Sequence, residues 1–381
     1  MSYKIDFFDA FECTGAGCNN SCCCGWKISI DKGTYDFYQN QCGTFAEYVK
    51  ENIEQSGEDF YVKLTDKKAC PFLDDNRLCR IYKEYGPEHQ ASTCQIFPRS
   101  FRIKNGKTTF SLFRHGCEVV LRGIFQHNGP IYLIQDTDDV DLLSEKRLAE
   151  FVSFSMDLLQ EESISLGAAL GTVLYLCLEQ TSKIKDNKGI LEIPNENKVF
   201  DILNEFASVQ HSMPKEELEG AAWEVIFLIV DTFCNVIEET GLRAKDMILW
   251  DEPVFQMSDQ ERKHYLKTAW MKNRDHSSDA MRAKRRLYAS FIAMCLMLYN
   301  KPGFDKFILG RVCYYIILSE VLPCVWNMEE GQYFSKMAEL ERVFENSTLM
   351  TKYIDTIIQE FLHPDILTYI LAFIFLFNTV E

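Results

Sequence analysis

The second part of the chain repeats its apolar side chains at three- and four-residue steps. One face of the segment 215–240 carries Trp223, Phe227, Val230, Phe233 and Ile237. This step is typical of an amphipathic helix, in which about 3.6 residues make one turn. The same pattern predicts helices over 144–160, 164–182, 198–210, 215–240, 258–272, 279–300, 305–324, 330–345, 348–361 and 364–378.

Before residue 140 the pattern predicts shorter elements mixed with loops. Asp31 can cap a helix over 32–38, because its side-chain oxygen can accept hydrogen bonds from the free amides of the first turn. Thr44 can cap a second helix over 45–54 in the same way. We therefore expect a small mixed region ahead of the long helices.

A hairpin is predicted over 101–112. Asn105 and Gly106 at its centre tolerate the positive φ angles that a type I′ turn requires. His115 and Cys117 follow the second strand directly. The hairpin backbone can therefore hold these two side chains against the cysteine-rich loops.

Composition indicates an ordinary folded protein. The chain has 381 residues, of which 47% are hydrophobic and 25% charged. The expected fold class is mainly α, with a small irregular cysteine-rich α+β module over 1–135 and a larger all-α helical domain over 136–381. The connection at 183–197, which contains charges, a glycine and a proline, is expected to be flexible.

Charge and hydropathy exclude two classes of partner. The formal net charge of −16 disfavours binding to nucleic acid or to anionic lipid. A membrane-spanning helix needs about 18 or more apolar residues, and the most apolar stretch, 366–377, is shorter. The basic run at 282–286 is interpreted as a solvated helix face. We therefore expect no nucleic-acid partner and no membrane insertion.

Cysteines are concentrated near the start of the chain. Ten of the 15 lie in the first 117 residues, and five of these lie between residues 13 and 24. Such clusters form either disulfides or a site for a soft metal. The first residues, Met-Ser-Tyr-Lys-Ile-Asp-Phe-Phe, do not resemble a secretory signal, so we expect a reducing cytoplasm. In that compartment clustered thiols bind metal or perform redox chemistry.

The spacing of the thiols leaves the metal open. A plain zinc knuckle contains C-x2-C pairs, and the chain has none. Thiolates suit iron–sulfur clusters as well as zinc. An extended backbone would direct the adjacent Cys22 and Cys23 to opposite sides, so one of them is expected to be spare. Cys24 and Cys42 look like extra cysteines on the same argument.

These motifs resemble a known family. Cys-x4-Cys-x3-Cys-Cys-x-Gly-Trp-x-Ile-x-Ile-Asp at 13–31 is followed by Cys70-Pro-Phe-Leu, by Leu-Cys79-Arg-Ile and by Cys94-x-x-Phe-Pro-Arg. This order resembles the flagellin lysine-N-methylase (FliB) family and, more loosely, the zinc- or iron-chelating cysteine-rich proteins. The resemblance covers roughly 5–125, and Cys24 departs from the family pattern.

The resemblance implies a function. It implies a bacterial, cytoplasmic methyltransferase that uses S-adenosylmethionine to methylate lysine side chains of flagellin, and a [4Fe–4S] cluster. The implied metal ligands are Cys18, Cys22, Cys23, Cys70, Cys79 and Cys94, with Cys13 and Cys117 behind them. One alternative is a binding or adaptor protein without catalytic activity, whose zinc or iron–sulfur site is structural. A third option is a redox or metal-handling protein related to the chelating cysteine-rich proteins.

The sequence does not identify the residues that would bind the methyl donor or accept the proton from lysine. The Gly15-Ala16-Gly17 segment lies inside a cysteine loop, without the strand and helix that flank a nucleotide-binding turn. A lysine ammonium, with a reference pKa of about 10.4, must lose a proton before it attacks a methyl group. Candidate proton acceptors in the cysteine region are Tyr35, Tyr38 and Tyr82, and the catalytic residue stays open. Trp26 and Phe97 are expected to shield the site, and Arg99 and Arg114 are lesser candidates for balancing its charge.

Overall fold

Short strands and helices alternate in the first 137 residues. The structure, a computed structural model, describes residues 2–18, 21–25, 28–67, 69–137, 142–186, 191–212, 214–239, 257–298, 306–325, 330–346, 372 and 376–377. Its first elements are β1 (Ser2–Ile5), β2 (Ser29–Ile30), α1 (Lys32–Asn40), α2 (Thr44–Glu51), β3 (Ile53–Ser56), β4 (Asp59–Val62), α3 (Arg80–Tyr85), α4 (Ser92–Ile96), β5 (Arg99–Lys104), β6 (Lys107–Phe113), α5 (Glu118–Gln126) and β7 (Leu133–Thr137). Two 3-10 turns occupy Gly15–Gly17 and Pro87–His89.

Long helices follow, and the fold is mainly α as predicted. They are α6 (Leu143–Gln160), α7 (Leu166–Asp186), α8 (Glu196–Ser212), α9 (Lys215–Glu239), α10 (Asp259–Asn273), α11 (Ser278–Leu298), α12 (Lys306–Val325) and α13 (Glu330–Asn346). Each matches a helix predicted from the apolar spacing. Within the described ranges, no helix combines the length and the apolarity needed to cross a membrane. The predicted helices 348–361 and 364–378, Trp26 and part of the connection 183–197 lie largely outside the described residues.

Two small sheets form before residue 140. One has the strand order β5-β6-β1-β7, and β1 runs parallel to β6 with Tyr3 opposite Phe110. The other is antiparallel, with the order β2-β4-β3. Strands β5 and β6 form the predicted hairpin, and its turn has φ 51° at Asn105 and 73° at Gly106. These positive angles are what a type I′ turn requires.

Some short elements differ from the expectation. Helix α2 ends at Glu51 rather than at residue 54, because Ile53 begins strand β3 and pairs with Val62. The apolar pattern does not predict β1, β7 or α5. Strand β1 is paired with β6 and β7, which are distant from it in sequence, so local periodicity carries little information about it.

Buried apolar side chains form two separate clusters. The smaller one packs α1, α2 and α3 against the sheet β2-β4-β3, and Val49 and Phe60 lie inside it. The larger one packs the hairpin and β1 against the long helices, with Phe110 and Phe151 fully buried. The hairpin therefore shares its core with the helical part. The domain boundary between 135 and 136 stays a prediction.

A buried ion-pair network attaches the hairpin to α6. Glu145 is 1% exposed, and its carboxylate accepts from Arg102 Nε at 2.8 Å, Lys104 Nζ at 3.0 Å and Thr109 Oγ1 at 2.9 Å. Each oxygen of the carboxylate has a donor, which offsets the cost of burying its charge. The position of the hairpin relative to the helices is thereby fixed.

The basic run at 282–286 is not simply a solvated face, so that interpretation is wrong for two of its residues. Arg285 and Arg286 on α11 are buried. Arg285 Nη1 donates to the carbonyl of Leu159 at 2.8 Å, and Arg286 Nε donates to the carbonyl of Ile124 at 2.9 Å. These carbonyls lie near the C-terminal ends of α6 and α5, where cations are favoured.

Candidate functional site

A cavity of about 860 Å³ gathers eight of the ten cysteines of the first 117 residues. The thiol-bearing residues of its wall are Cys13, Cys18, Cys22, Cys23, Cys70, Cys79, Cys94 and Cys117. All six predicted metal ligands are present, together with Cys13 and Cys117. Cys24 and Cys42 lie outside the described wall, and the described cysteines are not in disulfides. Which of the eight bind a metal stays a prediction.

Backbone contacts join the first cysteine loop to the second. The amide of Cys70 donates to the carbonyl of Cys23 at 2.8 Å, and Cys24 forms an antiparallel bridge with Ala69. Two thiol-bearing segments that are far apart in sequence are thus fixed side by side. This arrangement explains why a loop with few apolar residues can be ordered.

Two short helices present the next thiols. Cys79 is the N-cap residue of α3, and Cys94 lies within α4. Asp31 caps α1 as predicted and also accepts from the amide of Ser92 at 3.1 Å, so that it joins α1 to the start of α4. The helix cap recognised in the sequence therefore also positions a cysteine of the cavity.

Two candidate side chains follow the hairpin, and one of them lines the cavity. Cys117 lines the cavity, whereas His115 is fully buried beside the helices. Its Nε2 lies 3.0 Å from Ser290 Oγ and its Nδ1 3.4 Å from Tyr315 Oη. Burial, assisted by the charge of Arg311, lowers the pKa of His115 to about 3. The ring therefore stays neutral, and both of its nitrogens face hydroxyl groups.

A turn brings both adjacent thiols to the cavity. The amide of Cys24 donates to the carbonyl of Ser21 at 3.2 Å, so the backbone around Cys22 and Cys23 is turned rather than extended. Both thiols consequently line the cavity. The expected separation of the pair applies to an extended strand, and this segment is not one.

The pKa values of the two adjacent thiols, Cys22 and Cys23, shift in opposite directions. The hydrogen bond from the Cys22 thiol lowers the pKa of Cys23 against the opposing effect of burial, and the positive charges of Arg342 and Arg77 lower it further. The same hydrogen bond, followed by burial, raises the pKa of Cys22. Cys23 is therefore the member of the pair that more readily becomes a thiolate, the form that binds metals.

Electrostatic influence divides the thiols into two neighbourhoods. Burial, followed by the charges of Cys23 and Cys79, raises the pKa of Cys94 to about 12. Burial also raises the pKa of Cys117 to about 11, with smaller contributions from Cys18 and Cys13. The first neighbourhood consists of Cys23, Cys70, Cys79 and Cys94, and the second of Cys13, Cys18 and Cys117. Cys22 belongs to both, because the charges of Cys23, Cys94 and Cys117 all raise its pKa. A buried thiol of high pKa gives up its proton readily only to a metal.

Arg342 links helix α13 to the cysteine loop. Its guanidinium Nη1 donates to the carbonyl of Ser21 at 3.2 Å. A Cβ atom on Gly116 would lie 2.8 Å from Arg342 Cγ, so the side chain of Arg342 crosses the backbone where only glycine leaves room. Sequence reasoning missed Arg342, because 321 positions separate it from Ser21 and no motif marks it.

Some of the other residues predicted to lie beside the site line the cavity, and others do not. Phe97 and Arg99 line the cavity, and Arg99 Nη2 donates to the carbonyl of Phe11 at 3.3 Å. Arg114 is not part of the described wall. Gly15–Gly17 forms a 3-10 turn in the wall, as its place inside a cysteine loop suggested, rather than a strand-to-helix turn.

Comparison with known proteins gives partial matches. The chain is 32% identical over 153 residues to a lysine-N-methylase of Salmonella typhimurium and, over the same length, to one of Salmonella choleraesuis. It is 35% identical over 115 residues to the flagellar biosynthetic protein FliU of Salmonella muenchen. These relatives confirm the resemblance to the lysine-N-methylase family. No family model and no solved structure matches the chain.

The match to the lysine-N-methylases covers only part of each chain. The match covers 38% of this chain and 35% of either lysine-N-methylase, so the chain spans about a third of the length of these relatives. For FliU the match covers 28% of this chain and 66% of the relative. The match alone therefore does not show that this chain has the activity of the full-length relatives.

The donor set suits a metal centre of the kind that the lysine-N-methylase resemblance implies. Eight sulfur donors line one cavity, and four of them share a neighbourhood, which matches thiolate ligation of an iron–sulfur cluster or zinc in kind and in number. In the part of the chain that the structure describes, no three Cys, His, Asp or Glu side chains converge closely enough to hold an ion. A single ion held by three of the described thiols would therefore require local movement of the cysteine loops.

Proposed function

We propose that the chain is an S-adenosylmethionine-dependent protein-lysine N-methyltransferase that holds a [4Fe–4S] cluster in the thiol cavity. Flagellin is the proposed substrate, and the bacterial cytoplasm the proposed compartment. The observation that carries the proposal is the combination of a partial match to lysine-N-methylases with eight cysteines around one cavity. Similarity to a flagellar biosynthetic protein supports flagellin as the substrate.

The proposed ligands are Cys23 and three thiols on which its charge acts. Cys70, Cys79 and Cys94 share its neighbourhood, and the positive charges of Arg77 and Arg342 lie close enough to lower its pKa. Such charges offset the negative charge of a thiolate-ligated cluster. When bound, the cluster would join these thiol-bearing segments and supply an iron–sulfur centre in the cavity.

The phenols considered as proton acceptors have different positions. Tyr38 is buried, its hydroxyl donates to the carbonyl of His89 at 2.6 Å, and burial followed by nearby thiolates raises its pKa. Tyr35 stacks on Phe60 with ring centroids 3.7 Å apart and is not part of the described wall. Tyr82 lines the cavity and is exposed. Of the three, Tyr82 is the phenol that an incoming lysine would meet.

The test is a methylation assay under anaerobic conditions. Purified protein is incubated with flagellin monomers and with S-adenosylmethionine that carries an isotopically labelled methyl group. Peptide mass spectrometry should find labelled methyl groups on flagellin lysines, and should not find them when Cys23 and Cys94 are both changed to serine. Unlabelled flagellin, obtained with a preparation that retains its metal, would favour the noncatalytic binding or adaptor protein instead.

A further inference from the structure

An exposed ring and a carboxylate both belong to the wall of the thiol cavity. Tyr82 on α3 is 54% exposed, and Glu88 lies in the 3-10 turn Pro87–His89. Both contribute to the wall. Among the lining residues that the structure describes, Glu88 is the one carboxylate. A positively charged group that enters from solvent would therefore meet this pair of side chains.

The backbone that carries Glu88 is held by side-chain donors. Gln95 Nε2 donates to the carbonyl of Glu88 at 3.1 Å and to that of Gln90 at 2.6 Å. Tyr38 Oη donates to the carbonyl of His89 at 2.6 Å. The side chain of Glu88 is itself 67% exposed, and its contact with His89 Nε2 is long, at 3.8 Å. A fixed backbone thus presents a carboxylate that is accessible to a ligand, which lowers the entropic cost of binding.

The wall carries three cations, Arg77, Lys83 and Arg99, and the charge of Arg77 acts on the thiol of Cys23. Lys83 forms an ion pair with Asp74. The guanidinium of Arg99 lies 5.2 Å from the ring centroid of Phe11 and donates to the carbonyl of that residue. Neither contact involves Glu88. Lys83 and Arg99 therefore do not compete with a ligand's cation for this exposed carboxylate.

The segment 79–94 places this pair beside the thiols. Cys79 begins α3, Tyr82 lies within that helix, Glu88 follows in the 3-10 turn, and Cys94 lies on α4. A carboxylate beside an aromatic face suits an alkylammonium group, because the first pairs with its charge and the second attracts it through the ring quadrupole. The same short segment of chain therefore carries the exposed ring, the carboxylate and two thiols of the cavity wall.

We propose that Tyr82 and Glu88 bind the ammonium group of the substrate lysine as it enters the thiol cavity. This inference rests on the proposed function, since it takes lysine as the group that reaches the site. It assigns the recognition of the lysine to the turn between α3 and α4, apart from the thiols that would hold the metal.

The experiment compares Glu88→Gln with Glu84→Gln. Glu84 is exposed on α3 outside the described wall, so both changes remove one negative charge from the same segment. The dissociation constant is measured for flagellin monomers and for the same flagellin with its lysines acetylated, which removes their charge. Methylation of unmodified flagellin and the metal content are recorded for each variant.

Glu88→Gln should weaken the binding of unmodified flagellin by about five-fold, the upper range for a solvent-exposed ion pair. It should leave the binding of acetylated flagellin and the metal content unchanged, and Glu84→Gln should bind both forms like the wild-type protein. Tyr82→Leu should weaken binding in the same direction. Equal affinities of Glu88→Gln and wild-type protein for unmodified flagellin would overturn the assignment, as would equal losses in Glu88→Gln and Glu84→Gln.

The assay separates this proposal from the proposed function. If wild-type protein methylates flagellin and Glu88→Gln binds it normally, the lysine site is wrong while the function stands. If wild-type protein methylates nothing and Glu88→Gln still loses its preference for unmodified lysines, the site stands as a lysine-binding site and the function is wrong.

Discussion

The contact between helix α13 and the cysteine loop makes a quantitative prediction for Arg342. The side chain is 8% exposed, and its charged Nη1 donates to the carbonyl of Ser21 at 3.2 Å. A hydrogen bond from a charged donor contributes about 1.5–3 kcal/mol. Arg342→Met retains much of the packing over Gly116 but removes this bond and the positive charge. The free energy of unfolding should fall by about 1.5–3 kcal/mol.

Two measurements check this value. Urea denaturation under reducing conditions gives the free energy of unfolding, and amide hydrogen exchange reports on the loop itself. Exchange in the peptide covering 13–25 should become faster in Arg342→Met, because the loop loses its anchor to α13. Lys336→Met is the matched control, since Lys336 lies on the same helix and contacts Glu339 rather than the loop. Unchanged stability and unchanged loop exchange in Arg342→Met would refute the reasoning.

Gly116 allows the same contact to be tested from the other side. A Cβ atom at this position would lie 2.8 Å from Arg342 Cγ, so Gly116→Ala must displace the arginine. Such overpacking typically costs about 1–3 kcal/mol. In the double variant Gly116→Ala with Arg342→Ala the clash disappears, so the total loss should be smaller than the sum of the two single losses. Additive losses would show that the two residues do not interact.

Three further predictions follow from single side chains. Although partial burial opposes it, hydrogen bonds from Thr34 and Ser92 lower the pKa of Asp31 from 3.8 to about 2. Asp31→Ala should therefore lower the free energy of unfolding by about 1 kcal/mol at neutral pH. Urea denaturation should show this difference shrinking as the pH falls from 3.8 towards 2, because the native carboxylate is then protonated. Cys94→Ser should lower the metal content of anaerobically purified protein, whereas Cys24→Ser should not; equal losses would contradict the assignment of the cavity. Glu145→Gln should destabilise the protein by about 3–5 kcal/mol in urea denaturation, because it removes the buried anionic partner of Arg102, whose side chain is 11% exposed. A loss below about 1 kcal/mol would show that this pair behaves like one at the surface.

The long helices could be predicted because their signal is local. In α9, Trp223 and Val230 lie on one face at helical spacing, and both are buried. The hairpin turn was equally readable, since Asn105 and Gly106 adopt the positive φ angles that their side chains permit. In each case a few neighbouring residues determine the backbone.

The site could be predicted only as a set of residues. Thiols are rare and chemically distinct, so their clustering along the chain is enough to mark Cys70 and Cys94 as candidate ligands. The sequence does not reveal the turn that brings Cys22 and Cys23 to one cavity. Adjacent side chains point to opposite sides only along an extended backbone, and this segment is not extended. Arg342 could not be found either, since its contact with the loop depends on the packing of α13.

The measurement that tests the account most directly is metal analysis of the protein purified without oxygen. Iron, acid-labile sulfide and zinc are determined beside the visible spectrum, for wild-type protein and for the double variant Cys23→Ser with Cys94→Ser. We predict a brown protein with about four irons and four sulfides per chain, as thiolate ligation of a [4Fe–4S] cluster implies, and a colourless double variant. One zinc per chain without iron, or equal metal in both proteins, would contradict the account.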